Sequence, residues 1–175
     1  VADIRSCVDS EHKAITSITD ELRLEYGDQV AIINAPKAQG AAGFLGRKGR
    51  ICLNHVDIQM ANEYGTVLVV ALDNQPLSTS RKMLIQCMTV DQLYGWEASE
   101  SGGMGGTIRD VGSAPWGIQK IDAKVTLRLP GGRPREIIAC DENGYATDGQ
   151  TPTSGSPDAL TLHIDEVTPY TVVLR

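Results

Sequence analysis

The segment GTVLVVALDNQPLSTSRKMLIQCMTV, Gly65 to Val90, decides the fold. Val67 to Leu72 is apolar at every position. In a strand such a run means that both faces are covered, or that the strand lies centrally in its sheet. The link DNQPLSTS then presets a turn, through Asp and Asn side chains that bond to nearby backbone and through the fixed φ of proline. KMLIQCMTV resumes the strand pattern, so the segment predicts two antiparallel neighbours.

The same grammar extends in both directions. ELRLEY alternates Leu22, Leu24 and Tyr26 against charged residues, GD punctuates, and QVAIINA follows, which reads as a hairpin. ICLNHVDIQM sets Val56, Ile58 and Met60 on one face and Asp57 and Gln59 on the other, a half-buried strand with one side in water. IDAKVTLRL alternates Ile121, Ala123, Val125, Leu127 and Leu129 against Asp122, Lys124, Thr126 and Arg128, and PGGRP predicts a turn into REIIAC, which together read as a hairpin. DENGY carries an Asn-Gly turn and TDGQTPTSGSPD reads as a polar loop. ALTLHID, with Leu160, Leu162 and Ile164 inward, and TPYTVVLR then supply the closing strands.

Residues 1–19 are weakly patterned and read as a linker or a short helix starting near Ser10, with Ala14 and Ile18 on one side. The expectation is therefore an all-β domain over residues 20–175, an antiparallel two-sheet β-sandwich, Ig-like or jelly-roll-like, of nine or ten strands. A barrel is the architectural alternative.

At 175 residues the chain is long enough to hide about 70% of its unfolded surface without staples. No apolar run approaches the roughly 20 residues that a membrane helix requires. A formal charge of −6 opposes attraction to phosphate backbones, so neither nucleic acid nor membrane is expected as a partner. The first residue is Val, and no basic-then-apolar leader precedes the folded part, so no signal peptide is expected within this sequence. Cys7, Cys52, Cys87 and Cys140 lack CxxC spacing and read as buried thiols, with a disulfide as the alternative if the parent protein is secreted.

Candidate chemistry is sparse. SESGGMGGT is rich in glycine but lacks the Lys-Ser/Thr ending of a phosphate cradle and reads as a flexible loop. His12, His55 and His163 are isolated, so no metal site and no cofactor are expected, and no GxSxG elbow marks a nucleophile. Glu97 with Glu100, and Asp141 with Glu142, are the carboxylate pairs that sugar hydrolysis would require, but they fall in expected loops and turns. Two groups remain as carbohydrate-binding candidates. Tyr94, Trp96 and Trp116 have faces on which a pyranose could stack, with core or inter-domain packing as the alternative. Arg47, Lys48 and Arg50, in GFLGRKGR, are able to meet anionic groups, with a solvated hairpin tip as the alternative.

The run from Asn34 to Thr89 resembles the non-catalytic β-sandwich found C-terminal to the barrel in large bacterial glycoside hydrolases of the agarase and porphyranase type. Ala35, Pro36, Lys37 and Gln39 stand where that family carries Thr-Pro-Arg-x-Gln, and Gly43 and Phe44 follow. Ala71, Leu72, Asp73, Asn74 and Pro76 stand for its Ser-Leu-Asp-Gly-x-Pro turn, and Ser80 and Arg81 for the pair after it. Asn74 replaces the family's glycine, a change tolerated where φ is positive. PWGIQKIDAKVTL, REIIACDENGY and VTPYTVVLR resemble the second half of the same region.

The resemblance implies a non-enzymatic accessory domain whose catalytic carboxylates belong to a barrel outside this chain. It implies the parent's catalytic barrel as partner, with polysaccharide as a further one. It also implies an extracellular or periplasmic place within a larger secreted protein.

Overall fold

The computed structural model describes residues 4–99, 106–128, 130, 134–156, 158–164 and 169–175. The centre of the glycine-rich loop, Glu100, Leu129, the middle of the PGGRP turn, Pro157 and Thr168 lie outside them. The chain opens with a 3-10 turn, Ile4–Cys7, followed by β1 (Val8–Asp9), β2 (Ala14–Thr16), β3 (Leu22–Glu25), β4 (Val30–Ala35) and β5 (Ala38–Gly43). A single helical turn, α1 (Leu45–Lys48), leads to β6 (Arg50–Cys52), β7 (Val56–Met60), β8 (Gly65–Ala71) and β9 (Lys82–Met88). Four strands follow, β10 (Asp91–Tyr94), β11 (Glu97–Ala98), β12 (Ile108–Asp110) and β13 (Ser113–Ile118). The last five are β14 (Ala123–Leu127), β15 (Glu136–Cys140), β16 (Thr153–Ser156), β17 (Ala159–Ile164) and β18 (Tyr170–Leu174).

These build an antiparallel β-sandwich, not a closed barrel. One sheet has nine strands, in the order β1-β2-β3-β4-β5-β8-β9-β18-β15, and the other five, in the order β16-β17-β14-β7-β6. Val67, Val69 and Ile85 from the first sheet meet Ile58, Val125 and Leu162 from the second in one buried cluster. Each of these positions alternates with an outward residue, as the two-residue period of a pleated strand requires. The hairpins β3–β4 and β8–β9 form as their sequence patterns predict.

Four expectations are corrected. The segment from Val8 to Thr16 forms neither a linker nor a helix: Val8 pairs with Ile15, and Ile15 with Leu24, so β1 and β2 extend the first sheet. Lys13, at φ 50°, turns the chain back where continued helical backbone would be needed. β14 and β15 are not a hairpin, because β14 lies between β17 and β7 in one sheet while β15 pairs with β18 in the other. Both strands have an apolar side, and the two-residue pattern cannot reveal which sheet receives it. GFLGRKGR is a helical turn rather than a hairpin tip, with Leu45 fully buried beneath it. The polar tract also contributes a strand, since β16 pairs with β17 from Thr153 to Ser156.

The turn after β8 is held by its own side chains. Asp73 accepts hydrogen bonds from Ser80 Oγ at 2.8 Å and from the Arg81 amide at 2.6 Å. Asn74 sits in the left-handed region at φ 60° and accepts a hydrogen bond from Lys37 Nζ at 2.6 Å. Gln39, fully buried, accepts from the His55 amide at 2.8 Å and so ties β5 to the start of β7. These residues shape the sandwich.

Candidate functional site

Residues 89–122 leave the first sheet after β9 and enter the second at β14. On the way β10 and β13 pair as a separate two-stranded ribbon, and β11 and β12 as another. Leu93 faces Trp116 in register, and the pairing then slips between Leu93 and Tyr94. Gly112 permits the slip: at φ 73° it is left-handed, and a Cβ there would fall 2.4 Å from the Tyr94 carbonyl oxygen. The Trp96 amide donates to the Leu93 carbonyl at 3.1 Å and closes the turn beyond the slip.

Tyr94, Trp96 and Trp116 therefore line one cleft of ≈ 630 Å³. Tyr94 is 76% exposed and Trp116 64%, so neither packs into the sandwich core. The lining is otherwise aliphatic, with the amides of Gln92 and Gln119 and no ionisable group besides the Tyr94 phenol.

The basic trio is not part of this cleft. Arg47 lies over the Phe44 ring, 4.5 Å from its centre, and pairs with Glu63. Lys48 bridges Asp28 at 2.5 Å and Glu25 at 2.6 Å, and these hydrogen bonds hold its ammonium above the usual lysine range. Arg50 donates to Asp57 at 2.7 Å. Each cation already has a carboxylate partner, and Arg50 shares its Asp57 with Arg128.

The two outer faces of the sandwich differ in kind. Across the five-stranded sheet, Arg50, Gln59, Lys124 and His163 are successive register partners, and Cys52, Asp57, Thr126, Thr161 and Ser154 form the neighbouring row. That face is polar. Ser154 Oγ lies 2.9 Å from His163 Nε2 there, while Asp57 is held by Arg50 and Arg128. Among the described residues no carboxylate is seen to orient the imidazole as the third member of a nucleophilic triad would.

Across the nine-stranded sheet two outward rows are mainly apolar, while Gln86 lies in the row between them and Lys82 and Glu136 at one end of the face. Val8, Ile15, Leu24, Ala31, Ala42, Thr66 and Met88 are partners across seven strands. Ala35, Ala38, Val70, Leu84, Val172 and Ile138 form a parallel row. Leu22 is 53% exposed, Leu24 45% and Met88 44%. Strand β8 is indeed central, as its sequence predicts, but nothing in the described residues fully covers its second face: Leu68 and Val70 remain half-buried. The uninterrupted apolar run was the sequence signal for this face.

The other candidates fall into structural roles. Asp141 accepts from the amides of Asn143 and Tyr145 and shapes the Asn-Gly turn. Glu97 is exposed on β11. Among the described residues no cluster of three or more His, Cys, Asp or Glu could hold a metal ion. The four cysteines are free: Cys87 and Cys140 are buried as expected, Cys7 is half-buried, and Cys52 is exposed against expectation, because it points to the polar face.

No family model, curated protein or solved structure matches this chain.

Proposed function

We propose that this chain is a non-catalytic accessory β-sandwich that packs on, or extends, the catalytic domain of a polysaccharide-degrading glycoside hydrolase. The observation that carries the reading is the contrast between the two outer faces. Water suits Arg50, Gln59, Lys124 and His163 on the five-stranded sheet. It does not suit a broad sheet face of Leu22, Leu24, Leu68, Val70, Leu84 and Val172. Contiguous apolar patches of this kind mark interaction surfaces, and a domain that leans on another presents one. The resemblance of Asn34 to Thr89 to the glycoside-hydrolase accessory region names the class of the partner, a catalytic barrel that supplies the carboxylates. An extracellular or periplasmic setting belongs to the same reading.

The test is to express the chain alone and joined to the segments that flank it in its gene, and to assay both for polysaccharide cleavage by released reducing ends. The joined protein cleaves and the chain alone does not, and Glu97→Gln and Asp141→Asn leave the rate unchanged. Cleavage by the chain alone, or flanking segments without hydrolase activity, contradicts the reading.

A further inference from the structure

Both tryptophans of the chain, Trp96 and Trp116, line the cleft of the β10–β13 ribbon. A two-stranded ribbon has little core of its own, and large rings placed on one add nothing to the packed interior. Neither tryptophan belongs to the buried cluster between the sheets. The rings therefore have no evident structural task, although exposing them to water is unfavourable.

The chemistry of the lining defines what would relieve that exposure. Tyr94, Trp96 and Trp116 offer flat apolar surfaces, and Gln92 and Gln119 offer amides that both donate and accept hydrogen bonds. No carboxylate, ammonium, guanidinium or imidazole lines the cleft to meet a charged ligand. The net charge of −6 also disfavours polyanions. A pyranose ring matches these features, because its C–H face is apolar and its rim carries neutral hydroxyls.

We propose that the cleft formed by Tyr94, Trp96 and Trp116 binds a neutral pyranose chain, with Trp116 and Tyr94 as stacking platforms and Gln92 and Gln119 as hydroxyl partners. The lining shares no residue with the apolar outer face of the nine-stranded sheet, so glycan binding and domain docking succeed or fail separately. In a polysaccharide-degrading parent, such a cleft would hold the enzyme on its polymer.

The test uses the tryptophans as reporters, since all tryptophan emission arises from this cleft. The chain is titrated with hexasaccharides of agarose, cellulose, xylan and mannan, and with oligogalacturonate and sulfated galactan fragments as anionic probes. At least one neutral hexasaccharide shifts the emission saturably, and the anionic probes do not. Trp116→Ala, read through Trp96, weakens that binding about tenfold or more, as loss of a stacking platform should, and Tyr94→Ala weakens it less. Unchanged circular dichroism shows that both variants remain folded. Silence toward every neutral hexasaccharide at millimolar concentration overturns the proposal, as does a preference for the anionic probes or full binding by both variants. An emission shift seen only when the flanking catalytic segment is joined also overturns it, and assigns the ribbon to domain docking.

Discussion

Leu68 lies against Gly40 on the outward face of the nine-stranded sheet. The two are register partners between β8 and β5. A Cβ on Gly40 would fall 2.9 Å from Leu68 Cδ1 and 2.4 Å from the Val67 carbonyl oxygen. The close approach is set by backbone as well as side chain, so a rotamer change cannot relieve it. Gly40→Ala is expected to lower stability by about 3 kcal/mol through forced separation of the strands. Chemical denaturation measures this, and an unchanged midpoint would refute the close packing.

Asp57 gives the polar face a pH dependence. Burial alone would raise its carboxyl, but hydrogen bonds from Arg50 and Arg128 outweigh that and hold it below the usual aspartate range. A carboxyl lowered on folding stabilises the protein above its unfolded value, about pH 4, and that contribution is lost as the pH falls through the folded value. Asp57→Asn should cost about 2 kcal/mol at neutral pH, because Arg50 and Arg128 lose a charged acceptor. It should also flatten part of the acid limb of the stability curve. Parallel pH profiles for parent and variant would disprove the assignment.

The thiols separate by burial. Cys87 is fully buried, and burial pushes its thiol up to about 12. Cys140 is raised as well, by burial and by the neighbouring Asp141. In the folded protein a water-soluble thiol reagent at pH 8 should label Cys52 first and leave Cys87 and Cys140 until denaturant is added. Mass spectrometry of the labelled peptides reads the order, and early labelling of Cys87 would contradict the inward placement of β9.

Much of the sandwich was legible because burial writes a two-residue period into Leu160, Leu162 and Ile164, and into Val56, Ile58 and Met60. What was not legible is which sheet receives each strand. β14 and β15 carry adequate strand patterns on either side of a turn-forming sequence, yet long-range pairing with β17, β7 and β18 separates them. The short β1 and β2 escaped notice because two or three residues carry no period. At the site, the aromatic residues were visible as types. Their convergence depends on the slip at Leu93 and Tyr94 and on the backbone of Gly112, neither of which has a sequence pattern. The ion pairs of the basic trio were not legible because its partners Glu25, Asp28, Glu63 and Asp57 are drawn from other elements.

An uncovered apolar face should make the isolated chain bind a hydrophobic dye and self-associate. Ile15 and Leu24 are register partners at the exposed end of that face. The double substitution Ile15→Lys with Leu24→Lys is expected to change stability by only about 0.5 kcal/mol per site, as exposed positions do, while reducing dye emission and association. Sedimentation velocity and dye titration check both. Equal association by parent and variant would place the sticky surface elsewhere.

The central claim, that a catalytic domain covers the apolar outer face, is tested most directly by hydroxyl-radical footprinting of the chain alone and joined to its flanking segments. Met88 lies on that face, Met83 is fully buried, and His163 sits on the opposite, polar face. The account predicts that Met88 and Leu24 oxidise readily in the isolated chain and become protected in the joined protein, while His163 keeps its rate and Met83 stays slow in both. Equal oxidation of Met88 and Leu24 with and without the flanking segments, or protection that falls on His163 instead, would contradict it.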